Sequence, residues 1–155
     1  TLANQMLALA KVEQLRQQRD VPVVDWAGVA RAVALDLSAL IGEARLDFEI
    51  DLAAAPVRAH EWMLRELTRN LLHNAIRHAP PGSRLAVRLV ADARTAALTV
   101  ADDGPGIDAA LRERLFQPFA AGARSGGSGL GLAICREIVH SLGGEIALDN
   151  RVQGG

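Results

Sequence analysis

A two-layer α/β sandwich with a mixed sheet is the fold this sequence predicts, and three observations predict it. Segments with helical spacing alternate with segments of strand spacing along the chain. Two of the strand segments adjoin closely enough to pair as a hairpin, while the others are separated by helices. The apolar half of the 155 residues is aliphatic, with only 3% aromatic, so the core is to be built from Leu, Val, Ile and Ala. A chain of this length suits one ordinary domain.

The elements follow in order. "TLANQMLALAKVEQLRQQRD" carries Leu2, Met6, Leu9 and then Val12 or Glu13 at helical spacing, and "DVP" ends it. It reads as an amphipathic helix whose partner is missing. "VPVVD" is a short strand, and Asp25 can cap a helix running through "WAGVARAVALDLSALIGEA". "RLDFEIDL" alternates as a half-buried strand does. A long helix from about His60 to Ala79 is stopped by Pro80, Pro81 and Gly82. "SRLAVRLVAD" and "TAALTVAD" are strands joined through "ADART". Beyond them come a short helix from Ala109 to Phe116 and a glycine-rich stretch from Gly122 to Gly129, where Gly122 to Ser128 are expected to be mobile without ligand. A helix from Leu130 to Leu142 and a strand "GEIALD" complete the series.

Composition excludes several functions. A net charge of −1 gives no broad basic field, which argues against binding nucleic acid or an anionic membrane. The single cysteine, Cys135, cannot form an intramolecular disulfide, which suits a reducing compartment, and its apolar setting in "GLAICREIVHSL" reads as burial. No run approaches the 18 or so apolar residues of a membrane span, and the N-terminus has no secretory pattern, so the piece is expected to be soluble.

Three segments carry chemistry. On the long helix, Glu66, Asn70, Asn74 and Arg77 fall within roughly 80° of one another, beside an apolar face of Leu64, Leu67, Leu71 and Ala75. Asparagine is a mediocre helix former, but its amide oxygen is a good neutral ligand for Mg²⁺. The competing reading is a solvated helix face. In "DDGPGI", Asp102 ends a strand, and Gly104 and Gly106 permit close approach; a carboxylate fixed there accepts hydrogen bonds from an exocyclic amine. A plain turn is the competitor. In "GARSGGSGLGLAI", Gly127, Gly129 and Gly131 lead into a helix whose free amides and dipole favour phosphate, against a simple linker. It is neither a Walker loop nor a dinucleotide fingerprint. Between the two glycine segments, Phe116 and Phe119 of "LFQPFAAG" read as anchors of the intervening segment or as plain core.

The order "NLLHNAIRH", "DDGPGI", "LFQPF", "GGSGLGLAI" resembles the N, G1, F and G2 boxes of the catalytic ATP-binding domain of sensor histidine kinases. These belong to the ATPase superfamily shared with DNA gyrase, whose α/β sandwich is the Bergerat fold. The resemblance runs from about Asp25 to the C-terminus. It implies that Asn74 ligates Mg²⁺ on the ATP phosphates and that Asn70 supports the metal or phosphates. It further implies that Asp102 receives the adenine amino group, with Gly104, Gly106 and Ile107 around the base. Gly127, Ser128, Gly129, Leu130, Gly131 and Leu132 would cradle the phosphates. Arg77 would reach a phosphate, and His78, in a place often held by tyrosine, would lie near the ribose or phosphates. His60 and His140 match no functional position and are expected at the surface.

Gyrase-like members carry a glutamate general base where this chain has Asn70, and an amide cannot take a proton at neutral pH, so hydrolysis is not the implied reaction. Glu66 lies a turn too early to substitute. The resemblance implies transfer of the ATP γ-phosphoryl to a histidine on a dimerisation domain, for relay to an aspartate of a response regulator. The acceptor-histidine segment is absent. Residues 1–20 are similar to the end of the second dimerisation helix and its linker, and 21–155 to the catalytic domain without its usual last strand. The parent is expected to be a homodimeric inner-membrane sensor with this portion in the cytoplasm. No arginine stands just after Phe119, where "FAAG" supplies none, leaving Arg124 as the only cation between Phe116 and Gly131, either at the γ-phosphate or in solvent. Alternatives are an ATPase or an anti-sigma type serine kinase of the same superfamily, and a degenerate module that only binds nucleotide.

Overall fold

The computed structural model describes residues 2–18, 20–102 and 131–142. The expected short helix at 109–116, the glycine-rich stretch at 122–129 and the final strand lie outside the described residues. Helix α1 spans Leu2–Arg16 and is followed by β1 (Val23–Asp25), α2 (Trp26–Asp36) and α3 (Ser38–Glu43). Then come β2 (Asp47–Leu52), β3 (Pro56–Arg58), α4 (Glu61–His78), β4 (Arg84–Ala91), β5 (Ala96–Asp102) and α5 (Gly131–Ser141).

The predicted sandwich is present, with helices packed on one face of a mixed sheet of order β2-β4-β5. β2 runs parallel to β4 from Asp47↔Arg84 to Leu52↔Leu89, and β4 runs antiparallel to β5 from Leu85↔Asp102 to Ala91↔Ala96. The period of two turns Leu85, Val87 and Leu89 into the core. It sends Arg84 to the other face, where the guanidinium lies 3.9 Å from Asp47 and 3.3 Å from Glu49. The predicted hairpin link is closed by Asp92, whose carboxylate accepts from the amides of Arg94 and Thr95 at 2.8 Å each.

Two elements before α4 differ from those the sequence predicts. The single helix expected after Asp25 is two helices, bent at Leu37, where Leu37 N–H donates to Val33 O and Ile41 N–H to Leu37 O, each at 3.0 Å. The bend lets Leu37 and Ile41 both enter the core. A strand too short and proline-led to show a period, β3, pairs antiparallel with β1. Asp25 caps α2 as expected, accepting from Ala27 N–H at 3.1 Å, and also accepts from Ala55 N–H at 3.0 Å, tying the helix to the approach to β3.

Helix α4 is the centre of the molecule, covered by α2, α5 and β5. Its buried residues are Met63, Leu64, Leu67, Thr68, Leu72 and Ile76, a wider arc than the predicted face, in which Leu71 and Ala75 are only half-buried. Thr68 is the buried polar residue at its heart; its hydroxyl accepts from Trp26 Nε1 at 2.9 Å and donates to Leu64 O at 2.7 Å. Helix α1 has a partner within the chain: it packs on α5 through Val12, with Ala8, Leu9 and Leu15 alongside. The face therefore continues through Val12 rather than Glu13. Met6, expected on that face, is 56% exposed.

Candidate functional site

Asn70 and Asn74 stand on the C-terminal half of α4, both half-buried, with Arg77 and His78 exposed in its last turn. The helix ends because Pro80 and Pro81 can neither donate to a preceding carbonyl nor leave Ala79 helical, and Ala79 is extended at φ −73°, ψ 131°. Residues 79–83 then bring the chain directly into β4. Gly82 makes this turn at φ 83°, a region a side chain rarely occupies, and its N–H donates to Arg45 O at 2.9 Å. Asp47 N–H donates to Ser83 O at 2.9 Å, locking the turn to the start of β2.

Topology gathers the predicted residues at this end. Because β4 begins where α4 stops, and Leu85 faces Asp102 in the antiparallel register, the end of β5 returns to the C-terminal end of α4. Helix α5 runs antiparallel to α4. Its last residue, Ser141, has its hydroxyl 3.7 Å from Met63 Sδ, and Cys135 Sγ lies 3.7 Å from Leu67 O. One further turn, about 5.4 Å along the axis, carries α5 back to Gly131, level with Asn70 and Asn74. The acid at the end of β5, the amide row of α4 and the N-terminal turn of α5 thus share one end of the sandwich.

The amides are not equivalent. Asn70 Nδ2 donates to Glu66 O at 2.7 Å and reaches Glu66 Oε2 at 3.4 Å. Only the NH₂ side of the amide can meet a carbonyl, so this network fixes the flip and leaves Oδ1 facing away from Glu66. Asn74 has no side-chain hydrogen bond among the described residues. Glu66 is itself half-buried, with Oε1 at 4.0 Å from Arg69 Nη1. Burial, and after it the negative charge of Glu66, pushes the Cys135 thiol well above its ordinary value, so Cys135 is the inert core residue expected. His73 was not singled out in the sequence, although its position one turn from both Arg69 and Arg77 marks it. Partial burial, then the charges of Arg77 and Arg69, hold its imidazole below the usual range and hence neutral near pH 7.

This donor set fits Mg²⁺. Magnesium takes hard oxygen ligands, few of them from protein when phosphates complete its shell. Two half-buried amides, one with Oδ1 turned outward and one with no partner among the described residues, supply such oxygens. No group of three or more His, Cys, Asp or Glu side chains among the described residues could hold a metal by itself.

Of the predicted site residues, Asn70, Asn74, Arg77, His78, Asp102, Gly131 and Leu132 lie in these converging elements, the last two as the first turn of α5. Gly104, Gly106, Ile107, Gly127, Ser128, Gly129 and Leu130, with Phe116, Phe119 and Arg124, lie outside the described residues. His140 is exposed as expected. His60 is not a surface residue: it precedes α4 half-buried, its Nε2 enclosed without a hydrogen-bond partner among the described residues.

Comparison with known proteins gives a consistent result. Residues 59–155 match the family model described as histidine kinase-, DNA gyrase B-, and HSP90-like ATPase. The chain is 36% identical over 172 residues to sensor histidine kinase AruS of Pseudomonas aeruginosa, covering 99% of this chain and 17% of AruS. It is 32% identical over 160 residues to sensor protein QseC of Escherichia coli K12, covering 99% of this chain and 34% of QseC. It therefore spans about a third or less of the curated relatives it matches. The catalytic domain of histidine kinase ThkA superposes with a TM-score of 0.78 at 26% identity, over 88% of this chain and 91% of that one. The cytoplasmic segment of QseC superposes with a TM-score of 0.69 at 27% identity, over 99% of this chain and 85% of that segment.

Proposed function

Since the chain belongs to the histidine kinase-, DNA gyrase B-, and HSP90-like ATPase family, we propose that it is the ATP-binding catalytic module of a two-component sensor histidine kinase. In this reading the γ-phosphoryl of ATP passes to a histidine on the dimerisation domain of the parent, from which a response regulator aspartate is charged. The observation that carries the reading is the meeting of the Asn70–Asn74 row, Asp102 and the first turn of α5 at one end of the sandwich.

Asp102 accepts the adenine amino group, and the first-turn amides of α5 receive phosphate. Asn74, with Asn70 beside it, holds Mg²⁺ through amide oxygens, and Arg77 and His78 flank the phosphates. Bound there, the metal neutralises phosphate charge and orients the transferring group. Transfer of this kind needs positioning and charge neutralisation more than covalent help from the protein. Asn70, an amide that accepts no proton at neutral pH, favours transfer to an imidazole over hydrolysis by an activated water.

The parent is a homodimer with this portion in the cytoplasm, in keeping with the name of the solved QseC segment. No helix among the described residues is long and apolar enough to cross a membrane. Incubating the chain with ATP labelled on its γ-phosphate and a supplied dimerisation domain bearing an acceptor histidine tests the reading. Acid-labile, base-stable label on that domain is the expected result. Labelled inorganic phosphate with an unlabelled domain would instead favour the ATPase alternative.

A further inference from the structure

Asn70 is held from behind, and the group that holds it has no role in the reading given above. An amide NH₂ has two protons. One side of Asn70 Nδ2 meets Glu66 O at 2.7 Å and another approaches Glu66 Oε2 at 3.4 Å. A single anchor leaves the amide plane free to swing about the remaining contact; two anchors from the same residue define the plane. Glu66 is suited to this because it is itself constrained: its side chain is 21% exposed, and its other oxygen, Oε1, lies 4.0 Å from Arg69 Nη1. The carbonyl of the next residue, Leu67, lies 3.7 Å from Cys135 Sγ, which sets Glu66 beside the seam between α4 and α5.

We propose that Glu66 is a positioning residue for the nucleotide site, clamping the Asn70 amide so that Oδ1 is presented to the metal-bound triphosphate. This rests on the reading of Asn70 and Asn74 as metal and phosphate ligands. Glu66 touches neither metal nor nucleotide. It acts through Asn70, reducing the conformational freedom the amide would otherwise lose on binding.

Calorimetric titration of a non-hydrolysable ATP analogue, with and without Mg²⁺, tests this on the wild type, Glu66→Ala and Glu66→Gln. Glu66→Ala loses one net hydrogen bond's worth of ordering and should bind the magnesium complex about five-fold more weakly. Glu66→Gln keeps an acceptor at the same reach and should stay within about two-fold of wild type. The Asn70 Nδ2 proton facing the side chain of residue 66 should exchange with solvent faster in Glu66→Ala than in the wild type and Glu66→Gln, while the proton bonded to the carbonyl of residue 66 stays protected in all three. Equal affinities for wild type and Glu66→Ala, or a glutamine variant as weak as the alanine one, would overturn the role of Glu66. A wild type that binds no nucleotide would instead overturn the reading of the site itself, so the two failures are distinguishable.

Discussion

Leu85 and Asp102 face one another across the β4–β5 ladder, and that pairing carries the acid at the end of β5 to the end of the sandwich where α4 stops. If Asp102 reads the adenine amino group there, replacing its carboxylate by an amide removes a charge-assisted acceptor. Asp102→Asn should weaken binding of an ATP analogue about ten- to a hundred-fold, the range for a hydrogen bond to a charged group. Affinity for inorganic tripolyphosphate, which has no base, should be unchanged. Calorimetry with both ligands decides it: an equal loss for both would remove the adenine assignment.

Asn74 lies one turn beyond Asn70, half-buried and with no side-chain hydrogen bond among the described residues. A ligand amide has no internal partner to lose, so Asn74→Ala should cost little in folding. Its expected effect is on the metal: the gain in nucleotide affinity on adding Mg²⁺ should fall at least about ten-fold, the order for a lost interaction with a charged group. Phosphotransfer to a supplied acceptor domain should fall with it. Unchanged magnesium dependence in a titration would separate Asn74 from the metal.

The sequence made the sandwich legible because its strongest elements have strong periods: α4 with its proline stop, and β4 with its alternation. The amide row on α4 was legible for the same reason, since the 3.6-residue period alone puts Glu66, Asn70, Asn74 and Arg77 together. The bend at Leu37 was not, because both halves of that segment read as helix and no Pro or Gly stands at the bend, Gly28 and Gly42 lying well to either side of it. Strand β3 is a few residues led by Pro56, too short for any period. The inward face of α1 was misassigned at Met6 because spacing cannot say which of two overlapping apolar stripes meets α5. The clamp on Asn70 depends on rotamers, which no spacing contains.

His73 sits between Arg69 and Arg77 in the α4 column and stays neutral because partial burial and these two cations disfavour its proton. Its folded pKa lies below its unfolded value of 6.5. As pH falls through 6.5 the unfolded chain takes up a proton the folded chain resists, so stability must decline on the acid side. Urea midpoints measured at about pH 7.5 and about pH 5.5 should drop for the wild type, and the drop should be smaller in His73→Gln. The same decline in both would assign the acid sensitivity elsewhere.

The buried polar link between α2 and α4 gives a prediction about stability alone. Thr68 is the acceptor for Trp26 Nε1 at 2.9 Å and sits 2% exposed in the core. Thr68→Val keeps shape but strands the indole N–H in an apolar setting, a penalty of about 1–3 kcal/mol. Thr68→Ser keeps the hydroxyl and removes one methyl, so it should cost only about 1 kcal/mol. Chemical denaturation followed by tryptophan fluorescence should rank wild type, serine and valine in that order. Thr68 points to the side of α4 away from Asn70, so nucleotide affinity in the folded valine variant should match wild type. A valine variant as stable as wild type would mean that the indole finds another acceptor.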